Sequence, residues 1–143
     1  MSGRIRLTSD EMRCIALFES VTGAGVKDCV IGDSCLIFVV RPGDAGVAIG
    51  RGGSHVRLLR RMFGVNVEVV EYAEDLVDFV KNSFAPARVR QVRVVEKGGS
   101  GRAVVVSVEP SDKGVAIGRN GRKAERNRLL VRRYFGVDSV VIT

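Results

Sequence analysis

A chain of 143 residues, 45% hydrophobic and 27% charged, has the apolar content for a packed core and is no disordered tail. Its net charge of +7 favours a polyanionic partner, and no apolar run nears the ~20 residues of a membrane span, so a membrane protein is excluded. Cys14, Cys29, Cys35 and the single histidine, His55, show no metal-ligand spacing, which argues for reduced thiols in a cytoplasm and against a metal site.

Thr8-Ser9-Asp10-Glu11 supplies capping residues and acids for a helix start, and Cys14, Leu17, Phe18 and Val21 then form one apolar stripe. That helix is expected to stop near Gly23 and Gly25. Val26 to Ile31 reads as a strand, Gly32-Asp33-Ser34 as a turn and Cys35 to Val40 as a second strand. The unbroken apolar run Leu36 to Val40 suits a strand covered on one face and flanked by others. Pro42 ends it, Asp44 is placed to cap a very short helix through Ile49, and Gly50 stops that helix. Ser54 is placed to cap a further helix, with Val56, Leu59, Met62 and Phe63 on one side and Arg57, Arg60 and Arg61 on the other. Gly64 terminates it, and Val65 to Val70 forms a third strand.

The order then repeats. Leu76, Phe79, Val80 and Phe84 give a helical stripe that stops at Pro86. Val89 to Val95 and Ala103 to Val108 read as strands joined by a hairpin turn over Lys97-Gly98-Gly99-Ser100-Gly101. A helix from about Arg122 to Phe135, a stop at Gly136 and a strand from Ser139 to Ile142 close the chain.

One phrase ties the halves together. Pro42 to Gly53 and Pro110 to Gly121 match at nine of twelve positions, at a constant offset of 68 residues, which marks an internal duplication. Two domains are therefore expected, 1–72 and 73–143, joined at Tyr72-Ala73-Glu74-Asp75 without a flexible tract. Phe63-Gly64-Val65 matches Phe135-Gly136-Val137 at offset 72, so the last helix is four residues, about one turn, longer than its counterpart. The first half carries a net charge of +1 and the second +6.

Each copy places two helices head to tail across Gly-Arg-x-Gly, a bend whose outer face is bare backbone. The following helix opens with unpaired N–H groups and a positive dipole end. Arg51 and Arg119 set a charge beside it, and 18 of the 23 cations are arginines, whose planar fork suits phosphate. Val47, Ile49 and Val56, or Val115, Ile117 and Ala124, make an apolar wall next to this lip. Bases against the wall and phosphates against the glycines describe a groove for single-stranded nucleic acid.

Val-x-Ile-Gly-x-x-Gly-x-x-Val, from Val47 to Val56, resembles the KH-domain signature, and the helix-first order resembles its type II form. The resemblance implies an α+β fold of two tandem type II KH domains, each with a three-stranded mixed sheet and helices on one face, and a GXXG loop that clamps about four nucleotides. The joint from Glu68 to Asp75, running into Phe79 and then Phe84-Ala85-Pro86-Ala87, resembles that of the NusA-like proteins, and the short archaeal form resembles the whole chain. Single-stranded RNA is the implied partner, in transcription elongation, termination or antitermination, with RNA polymerase a further candidate. No S1 or polymerase-binding amino-terminal domain of the bacterial kind is recognised in the sequence. The implied RNA contacts are Val47, Ile49, Gly50, Arg51, Gly52, Gly53, Val56 and Arg57 in the first copy. In the second they are Val115, Ile117, Gly118, Arg119, Asn120, Gly121, Arg122 and Lys123. Two departures stand out: Ala124 where Ile or Val usually follows the loop, and Asn120 in place of Gly52. The second groove is accordingly expected to lean on its arginines more than on base packing.

An enzyme is not expected. Gly53 is followed by Ser54-His55 and Gly121 by Arg122-Lys123, which fails the P-loop pattern, and Gly50-Arg51-Gly52 lacks the third glycine of a dinucleotide site. Neither a cofactor nor a small-molecule substrate is implied. An RNA-binding role in translation or ribosome assembly is the nearest rival, because type II KH domains also occur in the small ribosomal subunit.

Overall fold

The computed structural model describes residues 8–32, 34–99 and 101–143; Asp33 and Ser100, each placed in a turn from the sequence, lie outside them. Contacts divide the chain into two compact units, one ending at Ala73 and the other beginning at Glu74.

In the first unit, α1 (Ser9–Thr22) starts at a reciprocal cap. The Glu11 N–H donates to Thr8 Oγ1 (3.3 Å) and the Thr8 N–H donates to Glu11 Oε1 (2.7 Å). Gly23, in the left-handed region at φ 78°, ends the helix. Strands β1 (Val26–Ile31) and β2 (Cys35–Val40) pair antiparallel, and β3 (Asn66–Glu71) returns parallel to β2. A parallel return needs a crossover. Here α2 (Ala45–Ile49) and α3 (Ser54–Phe63) supply it, with the glycine loop between them. Leu36, Phe38 and Val40 of the central strand pack with Phe18, Ala48, Leu59 and Val67. The Phe18 and Phe38 rings stack at 4.1 Å. Ile37 and Val39, pointing the other way, are buried too. The unbroken apolar run therefore reflects burial on both faces of β2, not on one.

The second unit repeats the plan with α4 (Leu76–Phe84), β4 (Val89–Glu96), β5 (Arg102–Val108), α5 (Lys113–Ile117), α6 (Arg122–Phe135) and β6 (Ser139–Ile142). Its sheet has the order β4-β5-β6, antiparallel then parallel. Phe79 lies at the centre of the core, edge-on to Tyr134 at 5.4 Å and tilted against Phe135 at 5.5 Å. Val104, Val106, Leu130 and Val131 are fully buried. Helix α6 spans 14 residues against 10 for α3, as the shift in the repeat requires. Each unit is thus an α+β fold with a three-stranded mixed sheet and its helices on one face.

Two expected caps are replaced by other contacts. Asp44 precedes α2 but makes no cap bond to it; its Oδ2 accepts from the Gly25 N–H at 2.7 Å, just before β1. Asp112 does the same in the second unit, accepting from the Arg88 N–H at 2.9 Å and from Arg88 Nε at 2.8 Å, just before β4. The reason is local: a capping residue needs extended backbone, whereas Asp44 has φ −98° and ψ −2°. The start of α2 is served by Glu71 instead, whose Oε1 accepts from the Ala45 N–H at 3.2 Å. Ser54 is likewise the first residue of α3, behind a left-handed Gly53, and not its cap.

Hydrogen bonds from Arg88 hold the Asp112 carboxyl below the ordinary carboxylate range. A carboxyl depressed in the folded state lends stability above its unfolded pKa and loses it as pH falls through the folded one. Acidification from roughly pH 5 to pH 2 should therefore lower the melting temperature of the parent more steeply than that of Asp112→Asn, as read by circular dichroism.

Candidate nucleic-acid interface

Both loops are built with the same backbone. Gly50 leaves α2 at φ 78° and ψ 167°, and Gly118 leaves α5 at φ 80° and ψ 170°. A single 3-10 turn follows in each, closed by Gly53 N–H to the Gly50 carbonyl (3.0 Å) and by Gly121 N–H to the Gly118 carbonyl (3.1 Å). Gly52 at φ 60° and Asn120 at φ 57° occupy one left-handed position. Asparagine is among the few residues that accept that region, so Asn120 preserves the loop where the sequence suggested a departure.

The glycines divide by what surrounds them. A Cβ on Gly50 would lie 2.8 Å from the His55 ring, and one on Gly118 would lie 2.7 Å from Lys123 Cβ and 2.9 Å from Lys123 N. The leading glycine therefore lets the next helix close on the loop. Nothing stands within 4 Å of a Cβ on Gly52 or Gly121, and one on Gly53 would meet only Arg57 Nη1 at 3.3 Å, the end of a flexible side chain, so no backbone or core group covers the trailing lip. No side chain caps the N-terminus of α3 or α6; the Ser54 N–H donates to the Arg51 carbonyl and the Arg122 N–H to that of Arg119, so the positive end of each helix sits directly behind its loop.

Beside each lip stand the expected apolar residues. Val47 and Ile49 are 51% and 40% exposed, Val115 and Ile117 48% and 36%, while Ala48 and Ala116 between them are fully buried. Val56 and Ala124 are half-buried at the start of the following helices.

The cations do not all serve the lips. Arg51, Arg119 and Arg122 are exposed there. Arg57 donates to the Gly52 carbonyl. The His55 ring meets the Val47 carbonyl through Nδ1 at 2.8 Å and so fastens α3 to α2. Lys123 Nζ donates to the Ala85 carbonyl at 2.7 Å, and Arg126 donates to the Ser83 carbonyl. Asn127, fully buried, donates from Nδ2 to the same Ser83 carbonyl at 3.0 Å and accepts from Arg126 Nε. These residues satisfy the last carbonyls of α4, where a helix presents its negative end. Arg128 pairs with Glu125. Much of the basic run along α6 is therefore structural, and the expected surplus of charge at the second loop does not follow from it. No local pattern signals these contacts, because Arg126 and Asn127 sit 43 and 44 residues from Ser83.

Tyr134 is buried against Phe79, and Tyr72 lies under Lys27 Nζ, 4.3 Å from the ring centroid, so both are packing residues. Burial pushes the Cys29 thiol up to about 12, which keeps it neutral. Among the described residues no group of His, Cys, Asp and Glu could hold a metal ion, and no helix is long and apolar enough to cross a membrane.

Comparison with known proteins agrees with this fold. The KH domain family matches residues 13–81, and the NusA-like second KH domain matches residues 76–133. A protein of Methanococcus vannielii named probable transcription termination protein NusA is 38% identical over 97% of this chain and 80% of its own length. A Halobacterium salinarum protein of the same name is 38% identical over 97% of this chain and 99% of its own. The crystal structure of APE1850 superposes with a TM-score of 0.83 at 42% identity, covering 96% of this chain and 100% of that one. With tandem KH folds and near-complete coverage by these relatives, the chain belongs to the NusA family of transcription termination proteins.

Proposed function

We propose that this protein binds single-stranded RNA in its two glycine-loop grooves and acts through it in transcription termination and antitermination. The observation that carries the reading is the duplicated loop, with an open backbone lip, uncapped helix N-terminus and exposed apolar wall made twice on one backbone. The wall, Val47 with Ile49 and Val115 with Ile117, takes base faces; Gly53, Gly121 and their arginines take phosphates. The relatives' name, probable transcription termination protein, supports a role in transcription; RNA polymerase as a further partner and a cytoplasmic location belong to the same proposal. The translation rival lacks such support. The protein is a binder, not an enzyme.

Fluorescence anisotropy with a labelled uridine dodecamer tests the reading. Affinity should fall by about 10²-fold between 50 and 200 mM salt, from ~0.7 per phosphate over about five contacts. The footprint should be about eight nucleotides, from about four at each loop. A double-stranded RNA bound as tightly as the single strand would overturn the groove. Recovery of the tagged protein with ribosomes and not with RNA polymerase would move it from transcription to translation.

A further inference from the structure

The two loops share a backbone but differ in what stands behind it. Four residues after the last loop glycine, the first copy has Arg57 and the second has Glu125. The Arg57 guanidinium donates to the Gly52 carbonyl, and its Nη1 lies 3.3 Å from where a Cβ on Gly53 would be. Its head thus rests on the outer lip of the first loop. A guanidinium carries five donors in a fixed fork, so one bond to a carbonyl leaves others for an anion.

The second lip is the reverse. Glu125 occupies the matching position, exposed and paired with Arg128 one turn on, and nothing stands near a Cβ on Gly121. The hydrogen bond from Arg128 holds the Glu125 carboxyl below the ordinary range, so it is ionised at neutral pH. Lys123 and Arg126 are tied to the carbonyls of Ala85 and Ser83 at the end of α4, and Arg119 and Arg122 are the exposed arginines of this loop. At the position where the first copy holds a guanidinium over the lip, the half of the chain with the larger net charge therefore has a carboxylate.

We infer that the first loop is the principal phosphate-holding loop of the pair, with Arg57 as its clamp, and that Glu125 keeps the second loop the weaker phosphate site. The inference rests on the RNA-binding reading and names how its two sites divide the work.

Reciprocal charge exchange in the full chain tests it, with the same uridine dodecamer titrated from 50 to 200 mM KCl. Arg57→Glu should raise Kd about tenfold or more and flatten the plot of log affinity against log salt by ~0.7, one phosphate contact. Glu125→Arg should lower Kd roughly threefold or more and steepen the same plot by ~0.7. Both side chains are exposed, and circular dichroism melts check that each variant folds as the parent does. A parent that binds while Arg57→Glu keeps the parent's Kd and slope overturns the clamp. Failure of Glu125→Arg to tighten binding overturns the inequality of the loops. A parent that binds no single strand removes the RNA reading itself, and this inference with it.

Discussion

Aspartate at Arg51, Gly52, Arg119 and Asn120 together is expected to weaken RNA binding by at least ~10²-fold at 100 mM salt and to leave both units folded. The exchange replaces two exposed guanidinium groups with carboxylates and adds two more at the tips of the loops. Stability is spared for a geometric reason. Gly52 and Asn120 sit at φ 60° and 57°, a region aspartate enters at small cost, and nothing lies within 4 Å of a Cβ on Gly52. The Gly52 change should cost about 1 kcal/mol and the others less. Anisotropy against the uridine dodecamer, beside a thermal melt, separates the two effects. A quadruple variant that folds and binds as the parent does would show that RNA lies elsewhere.

Gly118→Ala should act in the opposite sense, breaking the fold before the site. Its φ of 80° with ψ of 170° belongs to a region that is essentially glycine's alone, a strain of about 1–3 kcal/mol for any other residue. The new methyl would also meet the backbone nitrogen of Lys123 at 2.9 Å, and a helix N-terminus cannot swing aside as a flexible side chain can. Moving the first turn of α6 disturbs the bonds to the end of α4 and the Leu130 and Val131 packing behind them. A loss of about 3 kcal/mol or more is expected, a fall of roughly 12–24 °C in the melting temperature of a unit this size. Gly121→Ala is the control: at φ 71° with open space around it, it should cost about 1 kcal/mol. Equal melts for the two variants would contradict the packing described for Gly118.

Much of the fold was legible from periodicity and punctuation. The apolar stripes, the strand stops and the repeated phrase placed every helix and strand within a few residues, because each signal is local. What escaped was non-local. The partner of Asp44 lies 19 residues away, and a spacing rule saw only the helix just ahead of it. The arginines on which the second groove was expected to lean looked alike because sequence shows charge without showing what a side chain faces. Asn120 looked like a defect for a related reason: the torsion it must adopt is shared with Gly52, but the letter is not.

The aspartate ties bear on how RNA would arrive. Asp44 anchors the front of α2 to the backbone ahead of β1, and the ring of His55 fastens α2 to α3 beyond the loop. A loop held on both sides has little freedom left to lose, so the entropic penalty of association falls on the RNA and not on the protein. Encounter then needs no prior rearrangement of the protein, and variants of the lip should differ mainly in dissociation rate, with nearly common association rates.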